Sequence, residues 1–463
     1  MWRRPVHPIG LLTLSLLFLP LPAATPIQGQ EEGPGRGQEL PSLTLEEALE
    51  RAGEHNPDYR MAQNDLELSR TSRKQAWGAF LPGLDLSAGT GLSFNRQLVS
   101  VDEFGQPVEN PFTEWQTSSS SYQNLGGSLT LFQGGQRFHQ LAMEDARARA
   151  RNAAVTTRFR TLRGEVVRTY YRALNQEALL AVEEELLEGR RRDLELTERM
   201  FELAGATRVE VLAAELNVQR QEQRIQQIQA LLDQALLTLR RVIGDPELEH
   251  FRLSQELPTP FDPSGLDEDA LVERALLASP QVLEQEAQLE AGRAQARYAR
   301  GSRWPSIRLS FGVNQRTFDR GEGALFRPFP DQSRYGSTSL SLSIPLFSRF
   351  QNEAQIAEAQ VALDNTRATL RKTRLQAEEN VRSRLISLRT AHQGYEIALR
   401  SREIAQERLE LARQQYRQGS RTFSELQRDI EDAASAEREV INQLFGFLEA
   451  RVNLEEVVGE EVR

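Results

Sequence analysis

The sequence contains no cysteine, and this absence excludes several kinds of chemistry. The chain has no disulfide bond, no thiolate nucleophile, no cysteine-ligated zinc or iron–sulfur site, and no N-terminal cysteine to carry a lipid. Histidines are few, and none stands at zinc-binding spacing from another ligand: His7, His55, His139, His250 and His392. We therefore expect no metal ion and no cofactor, and no residue pattern in the sequence suggests catalysis.

Positive charge and long apolar runs are also scarce. Lysine and arginine total 56 against 66 aspartates and glutamates in 463 residues, a formal net charge of −10. Because nucleic-acid-binding surfaces carry an excess of positive charge, nucleic acid is not an expected partner. The mean hydropathy of −0.51 excludes a bundle of apolar transmembrane helices. A β-barrel is the remaining way for this chain to cross a membrane.

The N-terminus has the layout of a secretory signal peptide, which we place at residues 1–24. Two arginines near Met1 precede an apolar run, Leu11 to Leu19, and then small residues. A membrane anchor is the alternative, but the run is shorter than the roughly 20 residues that span a bilayer. Residues 25–42 are rich in Gly, Gln, Glu and Pro, which indicates a disordered leader.

The rest of the chain is a tandem duplication. Leu43–Ala88 and Leu266–Phe311 match at a constant offset of 223 residues, so that Pro57 corresponds to Pro280 and Pro82 to Pro305. We assign 43–245 to repeat 1 and 266–459 to repeat 2, joined by a linker at 246–265. Each repeat is predicted to open with helices, Thr44 and Asp267 acting as helix caps.

Each repeat then contains a predicted strand pair, near 84–132 and near 307–347. In the first strand Leu84, Leu86, Leu92 and Phe94 alternate with polar or small residues, which is typical of a strand with one apolar face. Polar loops are expected at Val101–Ser121 and Asp319–Tyr335. Four strands cannot close a barrel, and open sheet edges in a membrane leave backbone groups unpaired. Closure therefore needs more than one chain.

A long charged helix and a second helix of about 35 residues follow each strand pair, giving predicted helical hairpins at 135–243 and 350–458. Their apolar residues form narrow stripes with coiled-coil spacing, such as Ile356, Leu363, Leu370 and Ala377. A helix of about 70 residues is about 105 Å long. The predicted fold is therefore elongated.

Several motifs together resemble the TolC family of outer-membrane efflux proteins. They are Leu-Thr-Leu-Glu-Glu-Ala-Leu (43–49), Asn56-Pro57, Phe80-Leu81-Pro82, Leu-Phe-Gln-Gly-Gly (131–135) and Ile-Pro-Leu-Phe (344–347). The likeness spans about Leu43 to Gly459. It implies a mixed α and β membrane protein, a homotrimer whose twelve strands form one barrel in the outer membrane, continuous with a long α-helical barrel in the periplasm.

The same resemblance implies a passive exit duct for efflux or type I secretion, and not an enzyme. Its expected partners are outer-membrane lipid, a periplasmic adaptor, and an inner-membrane pump of the RND, ABC or MFS type. In the family, the turns at the far end of the helices close the mouth and meet the adaptor. Here those turns map to Gly205, Ala206, Thr207 and Arg208, and to Gly419, Ser420, Arg421 and Thr422.

Three further expectations concern these turns. Each glycine fits a left-handed helix end, so the turns also read as plain helical hairpins. Arg421 matches a family arginine that latches the mouth. Family members often carry two acidic residues that ring the aperture, whereas this chain has Glu425 and Arg428 there, with Glu210 near the first turn. A mixed ring weakens the preference for cations, although an exposed helix surface carries such charges in any case.

Two other functions remain open from the sequence. A periplasmic coiled-coil scaffold would never enter a membrane, and a surface adhesin would expose most of its helical mass on intact cells. The exported cargo and the class of pump are not encoded in any motif of the sequence.

Overall fold

The computed structural model describes residues 41–95, 99–101, 103–109, 115–203, 205–254, 257–320, 334–460 and 462. The predicted signal peptide and nearly all of the predicted leader lie outside the described residues. All elements named below belong to one unit, Ser42–Arg463.

The first half of this unit contains strands and helices in the predicted order. They are β1 (Ser42–Leu43), α1 (Leu45–His55), α2 (Pro57–Gly78), β2 (Gly83–Asn95), β3 (Val99–Val101), β4 (Pro107–Glu109), β5 (Gln116–Gln133), α3 (Gln136–Glu202) and α4 (Arg208–Ile243).

The second half repeats this order of helices and strands. It comprises β6 (Arg252–Leu253), α5 (Glu268–Ala278), α6 (Pro280–Arg300), β7 (Ser306–Arg320), β8 (Arg334–Ser343), α7 (Gln351–Arg417) and α8 (Phe423–Val458). The two long helices have 67 residues each, and the helices that follow them have 36 each. The boundaries proposed for the two repeats stay a prediction. No described helix is long and apolar enough to cross a membrane.

Both predicted caps are present at the helix starts. Thr44 and Glu47 form a capping box at the start of α1, and the Asp267 carboxylate accepts from backbone N–H groups of α5. A proline occupies the first position of α2 and of α6, where its missing N–H costs no hydrogen bond. Short-range sequence signals were sufficient here because capping involves residues only a few positions apart.

Four strands form one antiparallel sheet in the order β2-β5-β7-β8. Three predicted boundaries were wrong. Strand β5 already starts at Gln116, so part of the expected loop Val101–Ser121 is strand; its serines are polar on both faces, which hides the period of two. Strand β7 runs to Arg320, and β8 starts at Arg334, inside the other expected loop. Strand β8 ends at Ser343 because Pro345 cannot donate a ladder hydrogen bond.

The sheet has one apolar and one polar face. Leu86, Leu125 and Val313 are aligned across three strands on the apolar face, and all are exposed in the single chain. Toward the far end of the strands this face turns polar, with Gln123 opposite Gln315. Serine, asparagine and glycine dominate the other face. The apolar half nearest the helices is the part suited to lipid.

The main core lies where α1, α5 and the chain between the two halves pack on the long helices. Its largest buried residues include Tyr170 on α3, Leu385 on α7 and Phe447 on α8. The predicted linker 246–265 is part of this core, because β6 pairs in parallel with β1 and Leu253 is buried. This pairing also removes Ser42 from the predicted disordered leader.

The coiled-coil spacing is confirmed, and the structure identifies the packing partner of the α7 stripe. Leu363, Leu370 and Ala377 of α7 pack on α6, whose own buried residues Val282 and Leu289 are also seven apart. The sequence has a similar apolar stripe on α3, formed by Phe159, Leu162, Val166, Tyr170, Leu174, Ala178, Val182 and Leu186. This stripe is buried at its centre, but Phe159 is 43% exposed. Near the last residues of this stripe, the buried side chain is that of the charged Glu183.

Candidate functional site at the helical tips

The first tip joins α3 to α4 through Gly205, Ala206 and Thr207. The N–H groups of Gly205 and Ala206 both donate to the carbonyl of Met200, at 2.7 and 3.1 Å. The expected left-handed conformation of Gly205 was wrong, since its φ is not positive. α3 ends at Glu202, so Gly205 stands one position beyond the place where a left-handed glycine ends a helix.

The second tip joins α7 to α8 and has the expected geometry. Gly419 has φ +69° and donates its N–H to the carbonyl of Tyr416, while the Ser420 N–H donates to Gln415. This pair of bonds is a Schellman motif, which satisfies carbonyls left free at the helix end. The two tips therefore reverse the chain in different ways.

A capping box starts the returning helix at both tips. The Thr207 N–H donates to Glu210 at 2.7 Å, and the Thr422 N–H donates to Glu425 at 3.0 Å. Thr422 also donates its hydroxyl to Glu425 at 2.8 Å. These bonds from Thr422 hold the pKa of Glu425 below its ordinary value. Both glutamates predicted at the aperture thus have a structural role as helix caps.

An apolar cluster brings the two tips together. It combines Ala214 of α4 with Ala412 and Tyr416 of α7 and with three residues of α8, Phe423, Leu426 and Ile430. The rings of Tyr416 and Phe423 lie 6.2 Å apart. Because this cluster includes residues from both helical hairpins, the two predicted turns lie at the same end of the molecule.

Arg421 is held by a buried carboxylate. It forms an ion pair with Asp429 of α8, whose side chain has no exposed surface, and donates to Gln415 at 3.1 Å. Arg408 of α7 approaches the same carboxylate at 2.5 Å. Asp429 therefore links α8 to both α7 and the second turn. In contrast, Arg428 is exposed and forms no ion pair with any described residue.

Two more buried carboxylates tie the first hairpin to the second. Arg438 of α8 lies 3.4 Å from the buried Glu183 of α3, and Arg413 of α7 lies 3.7 Å from Asp193 of α3. Burial raises the pKa of Asp193, against the opposing pull of Arg413. Removing charges from water is costly, so such buried pairs are weak evidence for added stability.

Sequence reasoning missed two features of the tips. Leu203 and Val209 flank the first turn and are 80% and 75% exposed, so this tip has an apolar surface that the second tip lacks. Asp429 was also missed, although an acidic residue within the apolar pattern of Leu426 and Ile430 was a usable signal. Among the residues that the structure describes, no group of three or more possible ligands is placed to hold a metal ion.

Comparison with known proteins covers most of the chain. The family model described as outer membrane efflux protein matches residues 48–245 and 271–460. The protein CyaE of Bordetella pertussis is 26% identical over 370 residues, which is 79% of this chain and 73% of CyaE. The probable efflux pump outer membrane protein TtgC of Pseudomonas putida is 24% identical over 438 residues, covering 90% of this chain and 82% of TtgC.

Solved structures share the fold at lower identity. The structure of CusC has a TM-score of 0.75 and 19% identity, covering 91% of this chain and 93% of that chain. VceC from Vibrio cholerae has a TM-score of 0.72 and 17% identity, covering 90% and 97%. The TolC-like fold and the outer-membrane location with a periplasmic extension, both expected from the sequence, are thereby confirmed. With its family model matched over both halves, the chain belongs to the outer membrane efflux protein family, whose members are transport proteins.

Proposed function

We propose that this chain is the passive exit duct of a three-part export system and works as a homotrimer. The observation that carries the proposal is the four-stranded sheet, which has one apolar face and two outer strands, β2 and β8. Each outer strand has an edge left unpaired within the described sheet. Three copies placed edge to edge would pair these edges and make one barrel of twelve strands.

The helices carry a second feature that supports a trimer. Ile397, Ile404 and Leu411 of α7 are seven residues apart and are 65%, 67% and 51% exposed. On α4, Leu212 and Leu216 are each 49% exposed. Apolar stripes with this spacing are covered in stable coiled coils. The α7 stripe of one copy is proposed to pack on the α4 stripe of the next, which closes a ring.

The tips are proposed as the contact with the periplasmic adaptor. Gly205, Ala206, Thr207 and Arg208 and the second set Gly419, Ser420, Arg421 and Thr422 lie at one end of the molecule and are largely exposed. The exposed Leu203 and Val209 add apolar contact area at the first turn. Arg421 is proposed to latch the mouth, and Glu210, Glu425 and Arg428 to set its ion selectivity.

Energy for transport is proposed to come from an inner-membrane pump, while the duct itself performs no reaction. Related proteins are named for the export of toluene and of pyoverdine. These names support small molecules as the cargo of this chain.

The decisive experiment is planar-bilayer conductance of the purified mature protein, combined with mass measurement of the same sample. We expect discrete steps of low conductance from a particle close to three times the chain mass. A non-conducting monomer or dimer that stays soluble without detergent would contradict the duct and favour the periplasmic scaffold. Protease sensitivity of most of the helices on intact cells would instead favour the adhesin.

A further inference from the structure

The polar face of the sheet carries an uneven set of charges. Among the side chains that the structure describes on this face, the charged ones are Asp85 of β2 and Arg308 and Arg316 of β7. None of the three forms an ion pair with a described residue, and all three are exposed. Within the described residues, each chain thus contributes two arginines and one aspartate to this face. The remaining residues there are mostly small and polar, with three aromatic residues among them, Tyr122, Phe318 and Tyr335.

The register places these charges at three different heights. Arg308 is aligned with Thr130 and Ser341, near the helix end of the sheet. Asp85 is opposite Gly126, and Gly126 is opposite Gly312, four residues further along β7 than Arg308. Four residues correspond to about 13 Å along a strand. Salt bridges between levels are therefore out of reach.

Arg316 forms the third level, four residues beyond Gly312. It is opposite Tyr122, which is itself opposite Gly89. A Cβ atom added to Gly89 would lie 2.6 Å from the Tyr122 ring, so this ring lies across Gly89 on the side away from Arg316. The Tyr122 ring therefore does not cover the guanidinium, and Arg316 has no acidic partner among the described residues.

The row of Asp85 is kept open by glycines. A Cβ atom added to Gly126 would lie 3.4 Å from the Asp85 carboxylate, which shows that this carboxylate lies over Gly126. Ser337 ends the same row on β8. Because these neighbours are small, no bulky side chain of this row covers the Asp85 carboxylate.

Unpaired charges need water, so this face must border an aqueous space. An arginine buried against lipid without a partner would cost several kcal/mol. The opposite face bears Leu86, Leu125 and Val313 and suits lipid. In the trimeric barrel of the proposed function, on which this inference rests, the polar face is the inner wall of the pore.

We propose that this pore selects for anionic cargo through two arginine rings, with an aspartate ring between them. Three copies of Arg308 form the ring near the helical tube, and three copies of Arg316 form the ring near the outer end. Among the described residues of the wall, six arginines face three aspartates, a net positive charge. Carboxylate, phosphate or sulfonate groups are the chemical class that such rings attract.

The test is block of single-channel current by inorganic triphosphate added on the barrel side of the bilayer. That side is known because the large helical part stays in the chamber to which the protein is added. We expect block of the native channel from this side. Arg308→Gln and Arg316→Gln should each raise the half-blocking concentration, and the double variant should raise it about tenfold. Asp85→Asn should lower it.

Two controls separate charge from damage to the fold. Arg308→Lys keeps the positive charge, so inorganic triphosphate should block this variant with the same half-blocking concentration as the native channel. Arg303→Gln makes the same change just before β7, outside the strand, and should also leave the block unaltered. Equal half-blocking concentrations in the native channel and the double glutamine variant would contradict the proposal of arginine rings, but not the proposed function as a duct. A complete lack of conductance in the native protein would overturn the duct itself, and the rings with it.

Discussion

Arg421, in the turn between α7 and α8, forms an ion pair with Asp429, whose side chain is completely buried at the start of α8. The pair fastens the turn to the helix that follows it, and Arg408 ties the same carboxylate to α7. Any movement that separates the end of α7 from α8 must therefore break ion pairs with a carboxylate that is shielded from water.

Replacing Arg421 by alanine should loosen this end of the molecule. Removing one partner of a buried pair costs about 3 to 5 kcal/mol, and the remaining Arg408 reduces this to about 2 kcal/mol. We expect a higher closed-state conductance in a planar bilayer. Arg417→Ala is the control, because Arg417 is exposed and has no partner among the described residues. An unchanged closed-state conductance in Arg421→Ala would rule out the latch.

Asp193 should make stability depend on pH. Burial raises its pKa above the ordinary value of 3.8, so the folded protein holds a proton at pH values where the unfolded chain has lost it. The free energy of unfolding therefore falls as pH rises from 3.8 through the folded pKa. Asp193→Asn should remove this part of the slope in Tm measured from about pH 4 to about pH 7.

Glu198→Gln is the matched control for Asp193, since Glu198 lies on the same helix and is exposed. It should leave the slope of Tm against pH as it is in the native protein. If Asp193→Asn shows that native slope as well, burial of Asp193 does not contribute to the pH dependence.

The role of Glu425 as a cap can be separated from its charge. Glutamine at this position of a capping box keeps the bond to the Thr422 N–H, so Glu425→Gln should preserve Tm. If the carboxylate lines the aperture, the reversal potential of Glu425→Gln in a salt gradient should shift toward the value of an anion-selective pore. Glu425→Ala, which loses both, should lower stability as well. An unmoved reversal potential in the glutamine variant would make Glu425 a cap and nothing more.

Gly134 and Gly135 should differ in their tolerance of alanine. Both have positive φ, +55° and +75°, but a Cβ atom on Gly134 would collide with the carbonyl oxygen of Gly301. On Gly135 it would meet only His139, at 3.7 Å. We expect Gly135→Ala to cost about 1 kcal/mol and Gly134→Ala to cost more, because backbone must move. Equal Tm values for the two variants would contradict this account.

The equivalent junction before α7 supports that contrast, since Arg349 and Phe350 are left-handed there without being glycine. The backbone reversal is therefore compatible with a side chain where space allows. At Gly134 the close approach of a second backbone segment makes the difference.

The apolar stripe of α7 should be required for assembly. Ile404 is 67% exposed in the single chain, so a charged residue there would be harmless in a monomer and unfavourable between packed helices. We expect Ile404→Glu to yield monomers by mass measurement in detergent, whereas Ile404→Leu should still form trimers. Trimers of normal stability in the glutamate variant would place the contact between copies elsewhere.

Local pattern in the sequence was sufficient for much of the fold. The capping boxes, the prolines at helix starts, the four strands and the long helical hairpins follow from residues a few positions apart. The strand boundaries were less accurate because β5 begins in a serine-rich stretch with no apolar alternation. The conformation of Gly205 was mispredicted for a related reason. Composition indicates a turn there, but it does not specify at which residue the helix ends.

The sequence by itself determined the signal peptide prediction, the duplication, the absence of thiol chemistry and the resemblance to outer-membrane efflux proteins. All of these depend on composition, order and spacing. Only the tertiary structure decided that Asp429 is buried beside Arg421 and Arg408, that β6 joins β1, and that Asp85, Arg308 and Arg316 share one face at three heights. Such relationships join residues far apart in the chain, and they arise from helix packing and strand register, which no local pattern specifies.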